Sequence, residues 1–265
     1  MKKFLILLIA GLYVLLATQS TLFAEELSID QIVEKANLIS YYTGNDGSSD
    51  VEMTITDSQG RTRNRAFKIL RLNIEEGGKQ KFYVYFKKPA DVLKMVFMVW
   101  KNIGSDDDRW LYLPALDLVR RISASDKRTS FVGSHFLYED VSGRGIDADT
   151  HELVESDEKF YKIKNIPKET SGVEFSYYFV WVDKVNFIPT KAEYYNANDE
   201  LIRAIEALEV ADVQGHPTVV KSVARDLGRG GETTMEFKNI KYDIGLTEDI
   251  FSERYLRRAP VKWIK

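Results

Sequence analysis

The alternation of apolar and polar residues changes period once along the chain, near residue 44. Before this point apolar residues recur at helical spacing, and Ser28 with Gln31 fits a capping box, so the pattern predicts a helix over 28–42. After it, apolar and polar residues alternate in short runs, with turn signals about every 8–12 residues. This predicts an antiparallel meander, with strands at 51–56, 65–72, 81–88, 92–101, 109–113, 118–123, 150–155, 159–167, 173–183, 189–196, 201–213, 218–226 and 233–244.

Three segments follow the strand pattern less closely. The run at 201–213 contains good helix formers, and we assign it to the sheet because turns flank it at hairpin distance. Residues 124–149 hold isolated aromatic residues among Ser, Gly and charged residues, which predicts a long loop with a helical turn. A loop of this length inside a compact domain is usually functional. We predict a short helix over 246–255, capped by Thr247, and a basic, extended tail over 256–265.

The first residues have the pattern of a secretory signal peptide. Lys2 and Lys3 precede an apolar stretch over 4–17, and Ala24 is a small residue suited to cleavage. The apolar stretch is shorter than the roughly 20 residues of a transmembrane helix, which argues against an uncleaved anchor. The sequence therefore predicts a signal peptide over 1–24 and a single exported domain over 25–265.

Composition narrows the functional classes. Of the 265 residues, 44% are hydrophobic and 29% are charged, which is typical of a globular protein. The chain has no cysteine, which excludes disulfides, thiolate metal sites, a cysteine nucleophile and a lipidated N-terminal cysteine. The net charge of −3 lacks the basic excess that nucleic-acid-binding proteins show.

No catalytic or metal-binding motif emerges from the sequence. The three histidines do not lie at metal-ligand spacing, and Ser134 and His135 are neighbours, which places their side chains on opposite faces of a strand. We interpret the acidic run 106–108 as a turn rather than a calcium loop. We interpret the glycine-rich run 228–231 as a hairpin turn rather than a phosphate loop. We therefore expect no cofactor, no metal and no enzymatic activity.

Two predicted strands are apolar on both faces. In residues 92–101 and 173–182, large apolar and aromatic side chains occupy successive positions rather than alternate ones. An antiparallel sheet with one wet face would show a cleaner alternation, so both faces need a cover. One cover can be a helix, and the other can be a second part of a curved sheet or a bound apolar ligand. A closed sandwich filled by side chains is the alternative.

The densest basic group consists of Arg120, Arg121, Lys127 and Arg128. Two interpretations stay open for it. These side chains form either a solvated strand edge or a contact for an anionic lipid head group or an acidic partner.

Several short motifs in the stretch Trp110–Ser142 together resemble one protein family. They are W-x-Y-L-P at 110–114, R-R-I-S at 120–123, S-D-K-R at 125–128, F-x-G-S at 131–134 and Y-E-D at 138–140, with FYVYFKKPADV at 82–92 upstream. In this combination they resemble the LolA-like outer membrane lipoprotein-sorting protein family of Gram-negative bacteria. The predicted helix at 28–42 also sits where that family would place it.

The resemblance implies a mainly β (α+β) fold, a half-open antiparallel β-barrel of roughly eleven strands wrapped around a helical lid. Its concave face would hold acyl chains, and its location would be the periplasm. The resemblance is to a divergent branch whose members often accompany inner-membrane transporters of the RND or MMPL type. The implied partners are therefore the acyl chains of a lipid or lipoprotein, such a transporter and an outer-membrane acceptor.

These observations lead to one main hypothesis, a periplasmic carrier of acyl chains. Its predicted cavity residues are Phe86, Met95, Phe97, Val99, Trp100, Trp110, Tyr112, Phe179 and Trp181. The first alternative is a non-transporting adaptor that docks on a membrane complex through the 124–149 loop together with Arg120 and Arg121, which predicts a filled interior. The second is a hydrolase of envelope lipids, which predicts a serine within hydrogen-bonding distance of a histidine.

Overall fold

A computed structural model describes residues 26–265, and their dominant element is one antiparallel sheet of thirteen strands. The predicted signal peptide over 1–24 lies outside the described residues. The strands are β1 (Asp46–Thr56), β2 (Thr62–Asn73), β3 (Gln80–Lys88), β4 (Val96–Lys101), β5 (Asp108–Leu113), β6 (Leu118–Ile122), β7 (Asp149–Ser156), β8 (Phe160–Pro167), β9 (Tyr177–Asp183), β10 (Pro189–Tyr195), β11 (Leu201–Val213), β12 (His216–Asp226) and β13 (Glu232–Tyr242). The predicted mainly β fold is confirmed, with thirteen strands where the resemblance implied about eleven.

The sheet is open, because its two outermost strands do not pair with each other. Its order is β6-β5-β4-β3-β2-β1-β13-β12-β11-β10-β9-β8-β7, so the first and last strands of the chain pair at its centre. The two edge strands, β6 and β7, follow one another in sequence. The segment that joins them, residues 123–148, therefore passes from one edge of the sheet to the other. We call it the connecting segment.

Two pieces of chain cover the concave face. The first is the helix α1 (Ile29–Tyr41), which begins with the predicted capping box between Ser28 and Gln31. Its buried residues Ile32 and Ala36 pack with neighbours on β8 and β9. The second is the connecting segment, which holds the short helix α2 (Tyr138–Ser142). The prediction of a long loop with a helical turn is confirmed, and this loop forms part of the core.

The C-terminal residues cover the opposite face of β3, β4 and β5. They form a 3₁₀ turn over Glu248–Phe251 and the short helices α3 (Arg254–Arg257) and α4 (Val261–Ile264). Phe251 and Leu256 are buried against this face. The prediction of one capped helix over 246–255 and an extended tail is therefore wrong, because the tail folds back to cover apolar side chains. Within residues 26–265, no helix is both long and apolar enough to cross a bilayer.

Candidate functional site

A cavity of about 500 Å³ lies between the concave face of the sheet, α1 and the connecting segment. Its wall is mostly apolar and is formed by strands on both sides of the central strand β1. Typical wall residues are Phe67, Ile69, Phe82 and Val84 from β2 and β3, Val180 and Val182 from β9, Ala192 from β10, Ile205 and Ala207 from β11, and Met235 and Phe237 from β13. The side opposite the sheet is closed by Ala36 and Ile39 of α1 and by Phe131 and Val141 of the connecting segment.

The cavity exists because the two covers fill only the two ends of the concave face. At one end Phe131 of the connecting segment inserts among aromatic rings, with centroid distances of 5.9 Å to Phe86 and 5.5 Å to Phe97. At the other end α1 packs on Ile163 and Val182. Apolar side chains between these contacts, such as Ile205 and Phe237, line the cavity. A filled core would bring such side chains into mutual contact at the density of an organic crystal.

One side of the cavity wall is polar, and buried ion pairs hold it together. The guanidinium group of Arg128 pairs with Glu139 at 3.0 Å and also with Glu174. Arg144 pairs with Asp149 at 2.8 Å and reaches Glu139 at 3.4 Å. These contacts join the connecting segment to β7 and to the residues that precede β9. They therefore fix the segment over the sheet, and we call this group the arginine network.

The arginine network changes the acidity of its members. Burial by itself would raise the pKa of Glu139, but the nearby guanidinium groups of Arg128 and Arg144 outweigh burial and lower that pKa. The rings of Tyr178 and Tyr194 stack beside the network, 4.9 Å apart at 18°. Burial raises the pKa of both of these tyrosines, so their hydroxyls stay neutral at ordinary pH.

None of the nine predicted cavity residues lies on the cavity wall. Phe86, Met95, Phe97 and Val99 face the concave side but are buried in the core below the connecting segment. Trp100, Trp110 and Tyr112 lie on the opposite face, in contact with the C-terminal residues. Phe179 and Trp181 point away from the cavity, where Lys162 lies 4.8 Å and 5.1 Å from their ring centroids.

The physical reason for this difference is strand parity together with a second cover. On β9 the residues next to the predicted ones, Tyr178, Val180 and Val182, face the cavity. Both faces of this strand are apolar, so the pattern did not decide which one points inward. On β4 and β5 the opposite face is buried under the C-terminal segment, for which the sequence pattern predicts an extended tail. The wall residues on α1, β11 and β13 belong to elements that were predicted without being assigned to a site.

The predicted basic group does not form one surface. Arg120 and Arg121 are exposed on the edge strand β6 and pair with Asp126 and Asp108. Lys127 is partly buried and lies 3.7 Å from Glu139. The side chain of Arg128 is only 5% exposed and lines the cavity. Only the first two of these residues are therefore placed to contact a large partner.

His135 and His151 hydrogen-bond to groups other than serine hydroxyls, and the ring of His216 packs against Tyr242. The Nδ1 atom of His135 lies 2.8 Å from Oγ1 of Thr233, and that of His151 lies 2.7 Å from Oδ1 of Asn165. The Ser134 hydroxyl instead lies 3.2 Å from the carbonyl oxygen of Phe136. Residues 228–231 form the predicted hairpin turn between β12 and β13. Among residues 26–265, no three His, Asp or Glu side chains lie close enough together to hold a metal ion.

Comparisons with known proteins place this chain among relatives of the same fold. A DUF1329 family protein from Desulfovibrio piger is 28% identical, with a TM-score of 0.78 over 86% of this chain and 97% of that one. A domain named as a candidate outer membrane lipoprotein-sorting protein from Vibrio parahaemolyticus is 26% identical, with a TM-score of 0.77 over the same shares of the two chains. A LolA superfamily protein from Nitrosomonas europaea shares the fold at 19% identity, with a TM-score of 0.67 over 86% and 99% of the two chains.

The comparison with family models gives a match over most of the chain. Residues 78–258 match a family whose description reads uncharacterized protein. No curated protein matches the chain. The structural relatives confirm the LolA-like resemblance that the motifs at 110–142 carried. The chain therefore belongs to this family of uncharacterized proteins, and it shares its fold with the lipoprotein-sorting domain from Vibrio parahaemolyticus and the LolA superfamily protein from Nitrosomonas europaea.

Proposed function

We propose that the protein is a periplasmic carrier that holds the acyl chains of a lipid or lipoprotein in its cavity and passes them between the envelope membranes. The observation that carries this proposal is the apolar cavity of about 500 Å³. This volume lies within the range of about 300–1,000 Å³ that is usual for small-molecule sites in proteins. No covalent step is needed, so the proposal assigns no catalytic residue.

The energetics of such a cavity suit a carrier that must also release its cargo. Each methylene that leaves water contributes about 0.8 kcal/mol, so about ten buried methylenes would contribute about 8 kcal/mol. Association itself costs several kcal/mol in lost translational and rotational freedom, which offsets a large part of this gain. The remaining affinity allows reversible binding.

The relatives and the sequence add support from different directions. The structural relative from Vibrio parahaemolyticus carries lipoprotein sorting in its name. The signal peptide that the first 24 residues predict would direct the chain out of the cytoplasm. In this proposal the donor is an inner-membrane complex, such as a transporter of the RND or MMPL type, and the acceptor lies in the outer membrane.

The adaptor alternative predicts an interior that is filled by side chains. A protein that only docks on a membrane complex has no need of an apolar space between its sheet and its covers. The apolar cavity, whose wall is formed by strands on both sides of β1, therefore favours the carrier over the adaptor. The hydrolase alternative requires a serine bonded to a histidine, whereas His135 and His151 bond to Thr233 and Asn165.

The proposal is tested by binding and by transfer. A palmitoyl chain that carries an environment-sensitive fluorophore should show saturable binding, and unlabelled acyl lipids should displace it. The loaded protein should then accelerate movement of the probe from donor to acceptor vesicles. Absence of saturable binding would overturn the proposal, and binding without faster transfer would leave a lipid-binding protein that is not a carrier.

A further inference from the structure

Two tyrosine hydroxyls at the polar side of the cavity have no hydrogen-bond partner among residues 26–265. They belong to Tyr41, at the end of α1, and to Tyr194 on β10, and both residues line the cavity. Tyr178, the third tyrosine there, donates its hydroxyl to Asp149 at 2.7 Å. Because neither hydroxyl is bonded to the described protein, both are free to donate to an acceptor on a ligand in the cavity.

A third group of donors lies directly behind them. The Arg203 side chain is 7% exposed, pairs with Asp140 and lies 5.1 Å from the ring centroid of Tyr194. Its Nε and Nη1 atoms have no partner in the described part of the chain. Arg203 does not itself line the cavity, so the donors that can reach a ligand are the two tyrosine hydroxyls.

Most of the charged side chains around these donors are held in ion pairs. Arg128, Arg144 and Arg203 pair with Glu139, Asp149 and Asp140, while at the rim Lys127 and Glu174 join the same group. Within this ion-paired group cations and anions are equal in number, while Lys101, 5.3 Å from the Tyr41 ring, and Arg71, which donates to the Tyr41 carbonyl, are held by backbone carbonyls. A ligand group with a full charge would have to leave water for a buried site, which is costly. An uncharged acceptor would satisfy the hydroxyls without that cost.

We propose that the cavity selects an amphiphile whose uncharged carbonyl, the ester or amide that joins the acyl chain to its head group, accepts hydrogen bonds from Tyr41 and Tyr194. The acyl chain then extends along the apolar wall, past residues such as Val180 and Ile205. This inference rests on the proposed function and names the class of ligand for the same cavity. Free fatty acids, which carry a carboxylate, are the disfavoured class.

The test compares three probes of equal chain length. Monopalmitoylglycerol carries the ester carbonyl, hexadecyl glyceryl ether lacks it, and palmitate replaces it with a charge. Each probe displaces N-phenylnaphthylamine from the purified protein, and its dissociation constant is measured. We expect the ester to bind about tenfold more tightly than the ether, as two net hydrogen bonds would give, and more tightly than palmitate.

The matched variants remove only hydroxyls. The double variant Tyr41→Phe with Tyr194→Phe should bind the ester and the ether equally, while its affinity for the ether stays unchanged. Tyr177→Phe is the control, because that hydroxyl bonds to Asp199 away from the cavity. Thermal unfolding of each variant, with a melting temperature close to that of the wild type, shows that the sheet remains folded.

The possible outcomes separate this inference from the proposed function. If no probe displaces N-phenylnaphthylamine, both fail. If ether and ester bind equally well to the wild type, the cavity holds acyl chains but the tyrosines do not select a carbonyl, and this inference alone fails. Tighter binding of palmitate than of the ester would overturn the argument that a carboxylate loses too much hydration in this site. Preference for the ester that survives in the double variant would also overturn it.

Discussion

Replacement of Ala192 by phenylalanine should block the cavity without unfolding the sheet. Ala192 lies on the cavity wall at the middle of β10, opposite Val180 on β9 and Ile205 on β11. Both of these neighbours also line the cavity. A benzyl group in place of the methyl group therefore projects into the space that the ligand is proposed to occupy.

The expected size of the effect follows from the volume that the ring takes. A phenyl ring displaces about three methylenes of a bound acyl chain, and each contributes about 0.8 kcal/mol. The loss of binding free energy is about 2.4 kcal/mol, which corresponds to a roughly 60-fold larger dissociation constant. The free energy of unfolding should stay the same or rise, because the ring buries apolar surface in existing space.

The assay is displacement of a fluorescent acyl probe, with urea unfolding measured in parallel. Ala66→Phe is the matched control, because Ala66 on β2 lies opposite the exposed Glu52, on the face away from the cavity. The control should keep wild-type affinity. An Ala192→Phe protein that is folded and binds the probe within threefold of the wild type would refute the proposed position of the ligand.

Three further predictions concern the covers of the cavity. Arg128→Met leaves Glu139 and Glu174 without this partner, so it should lower the free energy of unfolding by about 3–5 kcal/mol in urea titrations. Arg121→Met should lower it far less, because the pair between Arg121 and Asp108 is exposed to solvent. The pKa of Glu139 is lower in the folded protein than its ordinary value of 4.5, so its contribution to stability is fully present above that pH and is lost as the pH falls through the lowered value. The acid branch of the stability curve should therefore be less steep in Glu139→Gln, and an unchanged slope would contradict this. Gly143→Ala should lower the melting temperature, because Gly143 has a φ of +74° and a Cβ there would lie 2.5 Å from the Tyr41 ring; an unchanged melting temperature would contradict the contact between α1 and α2.

Local periodicity predicted the elements of this fold well, including β11, whose composition favours a helix. Turn signals on both sides decided that assignment, because a hairpin needs short connections. The covers were harder to predict from the sequence. Nothing local to the C-terminal tail shows that it folds back onto β4 and β5, because the contacts join residues more than one hundred positions apart in sequence. One example is the hydrogen bond that the Trp100 indole donates to the carbonyl oxygen of Phe251.

The candidate site was predicted as a kind of surface but not residue by residue. The two-faced pattern correctly indicated a cover on each side of β4, whereas on β9 the outward residues Phe179 and Trp181 stay partly exposed beneath the side chain of Lys162. On β9, however, the two faces are equally apolar, and only the register with β8 and β10 brings Val180 rather than Phe179 to the cavity. The polar side of the cavity depends on residues from the connecting segment and from β10 and β11. Such a juxtaposition of Asp140 and Arg203 arises only from the tertiary fold.

The most direct test of the account is native mass spectrometry of the protein purified from the periplasm without detergent, followed by lipid extraction. A carrier of acyl chains should show a stoichiometric adduct with the mass of an acyl lipid, which disappears on delipidation and is reduced in the Ala192→Phe variant. A wild-type protein that carries no lipid under these conditions, and that takes up none from vesicles, would contradict the claim that this fold is a carrier of acyl chains.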